Sequence, residues 1–454
     1  MTRERGLATR LLMLRRFSTA FAALCLSATP AQAALTRAEQ AMVRTIDAEQ
    51  ARTTSMLERW VDQNSGTMNV AGVRAVRDLV DPEFKVLGFT TEWIDMKAAG
   101  RAGHLVARHN GSKASKRLLL IAHLDTVFEP DSPFQRWERQ GDMARGPGGG
   151  DDKGGIAVIV AALRAMKAAG TLDRANITVF LTGDEEDSGN PITIARRDLI
   201  AEGKKADAAL DFEDLAQDDG QNGPVDLGSI ARRSAGSWTV KVTGRSAHSS
   251  GIGNPGVGYG AIYELARILD TFRRELPDDK LTYNVGLIGG GQSADLDEGR
   301  IRLQATGKTN IVAATAVARG DLRAISQEQI ERTRAKMRAI VAQSLPGAKA
   351  EISFDEDGYP PMPPTAGNRA LLGRLNAVNR DMGLAEMTEL DPAKRGAGDI
   401  SFVAADVDGL VGLGPGSVGS HTPNEAVNVP SIFKQAKRAA ILMSRLAAEP
   451  RSGR

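Results

Sequence analysis

Cysteine is almost absent: the chain has one in 454 residues, Cys25, near the amino terminus. A disulfide framework, a Cys-type zinc site and a thiolate nucleophile are therefore excluded as organising features. Aromatic residues make up only 4%, and no basic run interleaved with them offers a stacking platform for nucleic acid. An excess of one charge is missing as well. Fifty-eight basic side chains face 56 acidic ones, so no polyanionic partner is expected. No apolar run reaches the ~20 residues that cross a bilayer. With 42% hydrophobic and 25% charged residues, the chain reads as globular and long enough for two or three domains.

The amino terminus stands apart from this background. Arg3, Arg5, Arg10, Arg15 and Arg16 precede an apolar stretch over 17–28 that ends in Ala31-Gln32-Ala33. This is the layout of a secretory signal peptide over 1–33, cleaved after Ala33. The residues before Cys25 do not suit lipid attachment, so the expected product is soluble, periplasmic or secreted, and free of the membrane. Cleavage removes five basic side chains, one acidic one and Cys25, leaving 53 basic against 55 acidic groups and no cysteine. His, Asp and Glu remain as strong metal ligands.

Downstream, an amphipathic helix is expected over 36–62. Short apolar runs at 117–122, 177–181 and 208–210 read as buried strands, with a helix over 154–169 between the first two. Strands alternating with helices imply an α/β sheet with its active edge at the strand carboxyl ends. From about residue 237 the order becomes strand (238–242), helix (256–272), strand (281–287), a glycine-rich loop, strand (314–322), helix (327–343) and strand (350–354). That β-α-β-β-α-β order matches a ferredoxin-like unit. The domains expected are thus a catalytic one over 34–234 and 357–454, interrupted by a smaller α+β one over 235–356. The Gly289-Gly290-Gly291 run reads as a flexible loop. After the proline-rich hinge at 360–364, a helix (368–382), a strand (410–413) and a closing helix (431–446) complete the first domain.

Five histidines exist, and three have informative neighbours. His123 and Asp125 end a strand and, spaced by two, project the same way, so the carboxylate can fix the imidazole tautomer. Gly146-Pro147-Gly148-Gly149-Gly150-Asp151-Asp152-Lys153 brings acids to a helix start, which favours a cation over a phosphate. Gly183-Asp184-Glu185-Glu186 follows a strand and can divide metal binding from proton handling. Phe212-Glu213 follows another strand, and His421 lies beyond the last one. Together His123, Asp151, Glu186, Glu213 and His421 meet the donor demand of two divalent ions bridged by a carboxylate. Zinc is the expected metal, with cobalt or manganese as substitutes. Asp152 and Lys153 are read as a local ion pair that shapes the turn. His104 and His109 are given no role.

These motifs, in this order, resemble the co-catalytic zinc peptidases that include glutamate carboxypeptidase, aminoacylase and succinyl-diaminopimelate desuccinylase. The resemblance spans nearly all of the mature chain. It implies a central mixed sheet flanked by helices, with the inserted domain acting as a lid and homodimerisation surface. It also implies that Asp151 bridges two zinc ions, with His123 and Glu213 on opposite ions, Glu186 completing one site and His421 the other. Glu185 would be the general base, and Asp125 would orient His123. In Gly244-Arg245-Ser246-Ala247-His248-Ser249, His248 resembles the lid histidine that polarises the scissile carbonyl in the partner's site. Asn310 and Arg323 resemble lid residues that hold a substrate carboxylate, and Gly396 and Gly398 resemble a substrate loop. The stretch 214–226 lacks the lysine with which glutamate-specific relatives hold the substrate side chain. The activity implied is exopeptidase cleavage, as a carboxypeptidase or dipeptidase, of an amide beside a free carboxylate. An N-acyl-amino-acid deacylase and a non-catalytic binding relative are the alternatives.

Overall fold

The structure, a computed structural model, describes residues 35–221 and 223–451. The signal-like stretch, Cys25 included, lies outside the described residues.

Two helices, Arg37–Ala48 and Gln50–Val61, open the chain, broken at Glu49 where a single one is expected over 36–62. The first is fixed by a capping box between Thr36 and Glu39. The central sheet has six strands in the order Thr90–Asp95, Gly103–His109, Asn176–Thr182, Arg117–His123, Ala208–Asp211 and Gly409–Leu410. The first two strands are antiparallel to their neighbours and the last four run parallel. Leu118 to Ala122 are buried because helices and loops cover both sheet faces. Helix Lys153–Ala168 is apolar nearly all round, since it is sandwiched between the sheet and the helices Arg37–Ala48 and Val429–Ala448.

Helix Val70–Lys85 and the first two strands of this sheet leave no clear pattern in the sequence. Pro82 sits inside that helix. The strand Thr90–Asp95 is a half-exposed edge of mixed residues, and Gly103–His109 buries a histidine where an apolar side chain would be expected.

Residues 236–354 build a second, four-stranded antiparallel sheet in the order Thr282–Gly291, Thr315–Arg323, Gly236–Gly244, Ala348–Phe354. Helices Gly260–Glu275 and Gln327–Val341 contribute to its core, in which Trp238 and Phe272 meet edge to face at 5.7 Å. This is the ferredoxin-like order, and we call the unit the lid. Two features differ from expectation. Gly289, Gly290 and Gly291 are not a loop but the end of an edge strand, paired with Val317, Ala316 and Thr315. Their missing side chains leave room for neighbours: a Cβ on Gly290 would stand 2.7 Å from Ile262 Cγ1. The chain then forms a hairpin, Ser293–Leu296 with Leu303–Thr306, instead of a loop.

Two crossings join lid and body, and they pair with each other backbone to backbone. Ala235 and Tyr359 exchange hydrogen bonds of 3.0 and 2.8 Å, and Arg232 and Met362 exchange two of 2.9 Å.

Candidate metal centre

Five segments converge at the carboxyl edge of the parallel strands. His123 is the last residue of strand Arg117–His123, and Asp151 lies in the turn that opens helix Lys153–Ala168. Glu185 and Glu186 follow strand Asn176–Thr182, and Glu213 follows Ala208–Asp211. His421 occupies a turn between Ser417–Val418 and Ala426–Asn428, with a left-handed φ of 63°. A non-glycine residue held in that region is uncommon and marks a conformation that its surroundings enforce.

Asp151 stands at the middle. One oxygen lies 2.9 Å from His123 Nε2, the other 3.3 Å from His421 Nε2. His421 Nε2 also lies 3.1 Å from a Glu186 oxygen. Glu186 and His421 thus share one side of Asp151, with His123 on the other. The resemblance puts Glu186 and His421 on opposite ions, whereas their side chains meet here. Glu213 instead forms an ion pair with Arg232 Nη1 at 2.6 Å, with Arg395 Nη2 3.6 Å away.

Asp125 holds this edge from behind. Its carboxylate lies 3.3 Å from His123 Nδ1 and accepts from the N–H groups of Glu185 and Glu186 at 3.1 Å each and from Thr67 at 2.7 Å. The Asp125 carbonyl, 3.1 Å from His123 Nδ1, orients the imidazole, and the carboxylate holds the loop bearing both glutamates. Asp152 and Lys153 do not form the expected ion pair. Asp152 accepts from the His123 N–H at 3.3 Å, whereas Lys153 reaches the Gln63 carbonyl at 2.9 Å. Each supports the turn separately. His104 is a buried structural group whose Nε2 lies 2.8 Å from the Ala195 carbonyl.

The electrostatics match a cation site. Burial alone would raise Asp151, but hydrogen bonds from His123 and His421 reverse this and hold it well below the usual carboxylate range. Bonds to Asp151 and Glu186 push His421 up to about 11. Burial raises Glu185 strongly, and repulsion from Glu213 adds to it. Protons on the imidazoles thus hold together acids that a divalent ion would otherwise neutralise. Imidazole and carboxylate are the donors zinc and similar ions take. One ligand atom each of His123, Asp151 and Glu186 lies within 4.8 Å of the others. The residues present fit a bound metal.

Beside the cluster opens a cavity of about 530 Å³, lined by Glu185, Glu186, Glu213, Arg232, Lys394, Arg395, Gly396 and His421 among others. Arg232 Nε donates to the Gly396 carbonyl at 2.8 Å, and a side chain on Gly398 would strike Arg232 and Glu213. The three lid residues are not brought here. His248 is exposed, with Nδ1 2.8 Å from Ser250 Oγ, and Asn310 is exposed, its carbonyl accepting from Ser249. Arg323 pairs with Asp321 at 3.0 Å. Arg232 is not expected from the sequence, where its only signal is the Arg232-Arg233 doublet. Arg196 is likewise unmarked in the sequence, a fully buried guanidinium bonded to Asp184 at 2.6 Å and Asp399 at 2.7 Å.

A sheet edge that gathers imidazoles and carboxylates around one acid, with a further glutamate at the mouth of a cavity, defines a metal-dependent hydrolase of the peptidase and amidohydrolase class. Residues 119–445 match the profile of peptidase family M20/M25/M40. The chain belongs to that family and is a metallopeptidase or amidohydrolase. It is 28% identical over 444 residues to carboxypeptidase G2 of Pseudomonas sp. (strain RS-16), covering 95% of this chain and 98% of that protein. It is 25% identical over 390 residues to the succinyl-diaminopimelate desuccinylase of Leptothrix cholodnii, covering 84% of this chain and 95% of that one. Its fold matches the crystal structure of aminopeptidase PepT from Bacillus cereus ATCC 10987 with a TM-score of 0.70 at 19% identity, covering 88% and 99% of the two chains.

Proposed function

We propose that this protein is an exported exopeptidase, a carboxypeptidase or dipeptidase that hydrolyses an amide beside a free carboxylate. One observation carries the reading: the loop holding Glu185 is hydrogen-bonded to Asp125, the same acid that faces His123, so a proton acceptor is fixed beside the ligand cluster. His123, Asp151, Glu186, Glu213 and His421 would hold two zinc ions, with Asp151 between them. Bound zinc supplies Lewis-acid polarisation and a lowered pKa for water. Glu185 takes the proton of the attacking water and returns it to the leaving amine. Arg232, Lys394 and Arg395 on the cavity wall are paired with Glu213, Asp218 and Asp214, so the substrate carboxylate is assigned to Asn310 and Arg323. His248, Asn310 and Arg323 would complete the site from a lid, with the chain working as a homodimer. Support for that assembly is the exposed apolar surface on the lid: Ile262 is 47%, Tyr263 58% and Ile288 61% exposed.

A deacylase acting on N-acyl amino acids uses the same water chemistry. Leu215, Leu390 and Val418 on the cavity wall favour it as the second reading. Both are tested by mass-spectrometric hydrolysis of dipeptides, N-aroyl glutamates and N-acyl amino acids by the zinc-loaded chain, with Glu185→Gln alongside. We expect cleavage of carboxylate-bearing amides by the parent and a loss of roughly 10²–10⁴-fold in the variant, with metal content unchanged. A variant that retains parental turnover would remove Glu185 from the base role.

A further inference from the structure

Tyr359 lies on the crossing that returns from the lid to the body, paired through its backbone with Ala235 on the outgoing crossing. Its side chain leaves this ribbon and enters the catalytic body. The ring packs edge to face on Phe402 at 4.9 Å. The hydroxyl donates to the carbonyl oxygen of Glu185 at 2.8 Å, and it lies 2.7 Å from Ser188 Oγ and 3.2 Å from Arg196 Nη2. Arg196 in turn binds the Asp184 carboxylate and carbonyl, at 2.6 and 2.9 Å, and the Asp399 carboxylate at 2.7 Å.

Residue 185 is consequently gripped at both ends of its backbone. Its N–H rests on Asp125, which belongs to the rigid sheet edge. Its carbonyl rests on a hydroxyl that belongs to the returning crossing. We propose that Tyr359 is a positioning residue, whose hydroxyl ties the place of Glu185 to the attitude of the lid. This rests on the reading of Glu185 as the base. A shift of the crossings displaces the hydroxyl, and the loop over 184–188 follows, because Ser188 and Arg196 share that oxygen. Misplacing a proton acceptor by even an ångström is enough to slow a reaction heavily.

Tyr359→Phe removes a single oxygen and keeps the ring on Phe402. With the panel substrate cut fastest by the parent, kcat is expected to fall on the order of 10-fold while KM stays within about twofold. The double variant with Glu185→Gln should be no slower than Glu185→Gln alone, since the oxygen acts only through that residue. Amide hydrogen exchange across 183–190, read by mass spectrometry in the resting protein, should quicken in Tyr359→Phe while the sheet strands stay protected. That arm requires no turnover. Parental kcat, or unchanged exchange over 183–190, overturns the proposal and leaves the base reading standing if Glu185→Gln is dead. An active Glu185→Gln overturns the base reading itself and Tyr359 with it.

Discussion

Asp211 and Glu425 carry a consequence of burial that a titration can read. Each is pushed up to about 8, by burial first and then by Glu213 and Asp151 respectively. Burial raises Glu185 and Asp152 as well. When the folded pKa exceeds the unfolded one, the folded chain binds more protons between the two values. The stability such acids contribute is complete below about pH 4 and is lost as pH climbs toward their folded values. Buried His104 is lowered and acts oppositely as pH rises toward 6.5, one group against these four and Glu186, which burial also raises. Chelated protein should therefore melt at lower temperature at pH 7 than at pH 5, and added zinc should raise the pH 7 midpoint. Calorimetry decides this; a chelated protein that melts higher at pH 7 contradicts it. The ligand candidates themselves were legible, because rare histidines and acids at strand ends stand out in order. Arg232 and Tyr359 were not. Their partners are Glu213 and a backbone carbonyl brought close only by the fold, and neither leaves a local pattern.

The turn that opens helix Lys153–Ala168 shows how closely its parts are fitted. Gly155 is inside the helix, where alanine would ordinarily be better by about 1 kcal/mol. A Cβ there, however, would collide with the Asp152 carboxylate and the Phe212 carbonyl. Phe212 is backbone-fixed beside Glu213, so the clash cannot be relieved by a side-chain rotation. Overpacking of this kind costs about 1–3 kcal/mol, and it outweighs the propensity gain. Gly155→Ala should lower the melting temperature and weaken zinc binding in a calorimetric titration; a stabilised variant with parental affinity would contradict the argument. Apolar runs made the parallel strands readable, and the β-α-β-β-α-β order made the lid readable. The edge strands were obscure for a physical reason. Thr90–Asp95 is half solvated, and Gly289 to Gly291 pair through their backbones while Leu303, Ile262 and the Thr306 backbone occupy the space above them.

Across the whole molecule, the cavity wall is built by the catalytic body, whereas His248, Asn310 and Arg323 stand on the lid away from it. If His248 serves the partner's site, mixing His248→Ala with Glu185→Gln subunits should restore up to about a quarter of parental activity, the share expected when one site in half of the chains' dimers is intact. No recovery after proven subunit exchange assigns His248 to its own chain. The paired crossings bear on a different question. Because Ala235 and Tyr359 are hydrogen-bonded partners, the polypeptide enters and leaves the lid at a single doorway. The lid is in that sense a cassette: a short reverse turn from Gly236 to Gly358 could replace it without stretching the body, and another ferredoxin-like unit could be grafted in its place.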